Sequence, residues 1–140
     1  GPVLQLPVFT PPPTPTATVT PTPSPDFSAQ YSSLDNCNTG WWIEVKLKNT
    51  GPIPFKSVDI TVEDQVTDIQ LENLGDGFTN IDGCLKTTTK DKLEPGDTYI
   101  LSAPAFTYDP TGNKLHVVIT LCSDTGQKGL CITNKFDRKP

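Results

Sequence analysis

Four cysteines, Cys37, Cys84, Cys122 and Cys131, are the residues of this chain best suited to covalent chemistry. None lies at the C-x-x-C spacing of zinc or redox sites. With His116 as the only histidine, a mixed Cys/His metal site lacks ligands, so no metal and no cofactor is expected. An even cysteine count in a small domain instead predicts two disulfides and an oxidising compartment. A nucleophile needs a base beside it, and His116 falls on the wet face of a strand with Val118 and Thr120. No P-loop, GxGxxG or HExxH is present, and no two carboxylates are singled out as an acid/base pair. No catalytic residue is therefore assigned, and the chain is expected not to be an enzyme.

Two further features have residues suited to a site. The segment 74–83 is rich in Asp, Asn and Gly, but Phe78 stands where a calcium loop needs an oxygen ligand. Turn chemistry is the expected role of that segment. The pair Trp41-Trp42 is the one candidate binding feature. If Trp41 points inward, alternation sends Trp42 outward, where its ring would stack on a sugar or anchor a protein. The competing expectation is that one Trp fills the core while a loop covers the other.

Composition sets what must carry these residues. Residues 1–25 contain no Lys, Arg, Asp or Glu, and Pro and Thr dominate 10–25. Proline fixes φ and removes the backbone donor, so this stretch predicts an extended polyproline spacer of about 50 Å. Its hydroxyls are candidate O-glycosylation sites, whereas no N-x-[ST] sequon occurs in the chain. Gly1-Pro2 reads as an expression scar. The apolar run 3–9 is too short to cross a bilayer and reads either as the outer end of a membrane helix or as linker. Residues 26–140 form the single foldable domain, close in size to an immunoglobulin-type sandwich. All the charge lies there, net −5. Lys46, Lys48 and Lys56 are interspersed with acids, so neither nucleic acid nor an anionic membrane surface is an expected partner.

Strand signals dominate the domain. In 41–49, Trp41, Ile43, Val45 and Leu47 alternate with Trp42, Glu44, Lys46 and Lys48. In 57–64, Val58, Ile60 and Val62 alternate with Asp59, Thr61 and Glu63. Further strands are expected at 27–33, 97–102, 115–123 and 129–136. A two-residue type II′ turn at Gly126-Gln127 would place Cys122 opposite Cys131, Leu121 opposite Ile132 and Val117 opposite Phe136. As a non-hydrogen-bonded pair, 122 and 131 lie about 4.5 Å apart at Cα, within disulfide range. Cys37–Cys84 follows by elimination. The longer loop is worth about 4 kcal/mol and the shorter about 3 kcal/mol on the chain-entropy model.

The turns Asn49-Thr50-Gly51 and Leu93-x-Pro95-Gly96-Asp97-Thr98, with Phe55-x-Ser57-Val58-x-Ile60 between them, resemble those of CARDB-like and related bacterial immunoglobulin-like surface domains. The resemblance implies an all-β, immunoglobulin-like antiparallel sandwich of about seven strands. The stalk resembles linkers between a membrane helix and an ectodomain in bacterial receptors, including membrane-spanning Ser/Thr kinases. It is also similar to the linkers joining cellulase catalytic domains to carbohydrate-binding modules. Together these readings imply a non-enzymatic extracellular, cell-surface ectodomain with a protein or glycan ligand, membrane-attached only through an N-terminal anchor. The alternative is a carbohydrate-binding module of a secreted enzyme, using Trp42.

Overall fold

The structure, a computed structural model, describes residues 11–13 and 23–140. Most of the expected linker, including 3–9, lies outside the described residues. Nine strands follow in chain order: β1 (Phe27–Cys37), β2 (Gly40–Asn49), β3 (Ser57–Asp64), β4 (Ile69–Asp76), β5 (Phe78–Asp82), β6 (Lys86–Lys90), β7 (Thr98–Ser102), β8 (Leu115–Asp124) and β9 (Lys128–Arg138). They form antiparallel sheets in the orders β1-β2-β7 and β4-β3-β8-β9, with β5-β6 as a separate hairpin.

The two larger sheets share one core, as the period-two pattern requires. Ile43, Val45 and Leu47 from β2 meet Ile60 and Val62 from β3 and Leu115, Val117, Ile119 and Leu121 from β8. Phe27 and Phe55 pack edge to face at 5.9 Å within it. The sequence reading missed β4, β5 and β6 and expected about seven strands. The segment 74–83, read as turns, is instead the end of β4 and the whole of β5, hinged at Gly77 with φ +74°. Asp, Asn and Gly are poor strand formers, and here backbone pairing to β3 and β6 overrides that preference.

The turns of the domain are tied to one another. Asn49 is buried, and its Nδ2 donates to the carbonyls of Ile53 (2.8 Å) and Leu93 (2.9 Å). Its backbone carbonyl receives Gly96 N–H at 2.8 Å. Gly51 cannot carry a side chain, because a Cβ there would lie 2.6 Å from the backbone nitrogen of Asp26. Thr50 and Gly51 N–H both donate to that residue's carbonyl. The two motifs Asn49-Thr50-Gly51 and Leu93-x-Pro95-Gly96 are therefore one joint, built around a single amide side chain.

The β8–β9 register is Cys122↔Cys131, Leu121↔Ile132 and Val117↔Phe136. The turn differs from the type II′ expectation. Gly126 and Gln127 both take positive φ (72° and 58°), and Asp124 pairs with Lys128, so the loop is 125–127 rather than two residues and the register shifts by one between Cys122 and Asp124. Ser57 Oγ, which donates to Asp124 C=O and accepts from Gln127 N–H, fixes this looser turn against β3.

Candidate functional site

Trp42 is where the sequence placed its binding site, and the structure buries it to 5 % exposure. The side-chain alternation holds from Ile43 on: Ile43, Val45 and Leu47 enter the main core, while Trp42 and Glu44 point to the other side of β2; Trp41, expected inward, is only half-buried and stays outside the core, where its backbone pairs with Phe106. That side stays wet at Lys46 and Lys48 but not at Trp42 and Glu44. The β5-β6 hairpin crosses it, bonded in turn to each strand of the sheet. Gly83 N–H donates to Asp35 of β1, Asn80 Nδ2 to Glu44 of β2, and Ile81 N–H to Ser102 Oγ of β7. An exposed Trp42 for sugar stacking is thus corrected to a covered one.

Beneath the hairpin lies a buried polar cluster centred on Glu44, itself 5 % exposed. Trp42 Nε1–H donates to Oε1 at 2.8 Å, and Ser102 Oγ–H donates to Oε2 at 2.8 Å. Burial pushes the Glu44 carboxyl above its ordinary value, the bonds from Trp42 and Ser102 oppose that rise, and Asp35 and Asp82 add to it. Ser102 touches a carboxylate but is only 4 % exposed and has no histidine beside it. The arrangement clamps a hairpin to a sheet. Sequence reading missed it because Glu44 and Ser102 sit at solvent-facing strand positions; Cys84, which must reach Cys37, was the one hint of a covering segment.

The cysteine pairs are Cys37–Cys84, with Cα atoms 5.1 Å apart, and Cys122–Cys131, 4.1 Å apart. The first fastens the tip of the hairpin to β1. The second crosses the β8–β9 ladder on the face shared with Thr120 and Thr133, whose hydroxyls are 2.7 Å apart.

A second buried carboxylate, Asp64, closes the β3–β4 turn. Burial raises its pKa, but donation from Asn113, Tyr108 and the N–H groups of Val66 and Thr67 outweighs this and holds it below the ordinary value. His116 lies on the outer face as expected, its Nδ1 2.6 Å from Asp137 Oδ1. That bond leads the causes that lower the Asp137 pKa, with Lys114 3.6 Å away contributing as well.

The outer face of the four-stranded sheet holds a strained carboxyl pair. Asp59 Oδ1 is buried without a hydrogen-bond partner. Burial, and then the charge of neighbouring Glu72 on β4, raise the Asp59 pKa. Among the described residues, no group of three or more His, Cys, Asp or Glu is placed to hold a metal ion. No described helix is long and apolar enough to cross a membrane. The chain matches no protein-family model and no curated protein sequence.

Proposed function

We propose that this chain is a non-enzymatic extracellular binding domain, an immunoglobulin-like sandwich displayed from a surface on a Pro/Thr stalk. The observation that carries the reading is the pairing of all four cysteines. Both bonds do structural work in the fold, and such bonds persist where the surroundings are oxidising. The joint between Asn49 and Leu93 supports the immunoglobulin-like assignment, because it gives both resemblance motifs one shared purpose. With Glu44 and Asp64 closed inside the fold, the chemistry left at the surface is that of recognition through sheet edges and exposed side chains.

The carbohydrate-binding alternative loses its residue with the burial of Trp42. The test is made on intact producing cells. A membrane-impermeant protease should release the domain by cutting outside it, and a maleimide added without reductant should leave its cysteines unlabelled. A protein protected from protease until lysis, with four reactive thiols, would overturn the proposal.

A further inference from the structure

Among the described residues, the sheet β4-β3-β8-β9 ends in two strands of opposite charge that have no further ladder partner, β9 touching β1 only through side chains such as Asn134, which donates to Phe27 C=O. Strand β4 carries Glu72 and Asp76, is preceded by Asp68, and has no Lys or Arg. Strand β9 carries Lys128, Lys135 and Arg138 and is followed by Lys139. Its one acid, Asp137, is already engaged by His116 and Lys114. Charges that merely protect edges work best with the same sign on both, since copies then repel. Here they attract.

The backbone fits as well. Gly77 N–H donates to Lys56 C=O and Gln65 N–H to Lys114 C=O, both continuing the strand registers. Residues of β3 at even positions therefore bond to β4, and those at odd positions to β8. It follows that Gln70, Glu72, Leu74 and Asp76 aim their N–H and C=O groups away from β3, to the free side. By the same alternation Cys131, Thr133, Lys135 and Asp137 aim theirs away from β8. Each edge thus presents four residues whose backbone donors and acceptors have no partner among the described residues. The successive antiparallel pairings also make β4 antiparallel to β9, so a translated copy can extend the sheet without reversing.

We infer that β4 of one molecule pairs with β9 of a second copy of this chain, joining the domains head to tail through a continuous antiparallel sheet. One register satisfies the side chains: Lys135 opposite Glu72, Thr133 opposite Leu74, Cys131 opposite Asp76 and Asp137 opposite Gln70. Phe136 then faces Leu71, both already at the rim of the core. Sliding by two residues sets Asp137 against Asp68 or against Glu72, which repels. The pairing also brings an ammonium to the Asp59/Glu72 pair, which makes no ion pair among the described residues. A heterologous contact of this kind leaves a free edge at each end and propagates.

The inference names the partner of the proposed binding domain and takes only its setting from that reading. The test uses purified, oxidised full-length chain, so it does not depend on where the protein resides. Sedimentation velocity over a wide concentration range at low salt should show a growing series of oligomers that shrinks as salt is added. Glu72→Lys alone and Lys135→Glu alone should each weaken association about tenfold. An equimolar mixture of the two single variants, and the double variant, should both recover it, which a folding defect would not allow. A monomer at every concentration overturns the inference. So does association that survives both single reversals, or a mixture that fails to recover.

Discussion

Asn49 shows how much one side chain decides. Its amide bonds two carbonyls, those of Ile53 and Leu93, 44 positions away in the second case, from a buried position. Removing it takes this donor from the half-buried Ile53 carbonyl and one of two donors from the Leu93 carbonyl, which keeps Phe55 N–H, and leaving an interior acceptor short of its partner costs roughly 1–3 kcal/mol. Asn49→Ala is therefore expected to lower the free energy of unfolding by about 1–3 kcal/mol, read from the urea midpoint with an unchanged slope. Glu44 behaves differently, because its pKa is raised in the fold. Below the ordinary glutamate value of 4.5 the group is protonated folded and unfolded, and burial carries no ionic penalty. As pH climbs through the raised value, the folded state must give up a proton it holds tightly, and stability falls. Glu44→Gln lacks this titration. The stability of wild type minus that of Glu44→Gln should consequently decrease from pH 4 to neutrality, as chemical denaturation at a series of pH values would show. A flat difference would mean that the carboxylate is not desolvated.

The element that matters most is the β5-β6 hairpin, which the sequence did not announce. It covers Trp42 and Glu44, and the Cys37–Cys84 bond closes a long loop to keep it there. Replacing both of these cysteines with serine should cost about 4 kcal/mol by the chain-entropy model. It should also loosen the cover over Trp42. Tryptophan fluorescence of the folded variant is expected to shift to the red and become more accessible to acrylamide, while the Cys122–Cys131 bond remains intact. Unchanged quenching would show that the hydrogen bonds from Gly83, Asn80 and Ile81 hold the hairpin without the disulfide. The other hairpin, β8–β9, was readable nearly to its register. Its two cysteines and its apolar pairs must agree with a short turn, and one value of the register satisfies all of them.

At the scale of the whole molecule, lowered and raised carboxylates oppose each other in acid. Asp64 and Asp137, held below their ordinary value of 3.8 in the fold, stabilise it above that pH and lose this contribution as pH falls through their lowered values. Stability should thus fall steeply only below about pH 4, and Asp64→Asn should flatten the acid limb of the thermal midpoint against pH. Sequence alone determined the all-β class, the facing of β2, β3, β8 and β9, and both cysteine pairs. Those follow from period-two burial and the short-range geometry of the β8–β9 hairpin, which are written locally in the chain, with Cys37–Cys84 left by elimination. Only the tertiary structure decided that the second face of β2 is covered at Trp42 and Glu44 and that 74–83 pairs as strands. It also set two sheet edges of opposite charge at the ends of one sheet. Each of these depends on which distant segment lies against a given face, and a polar residue under a hairpin looks the same in sequence as one in water.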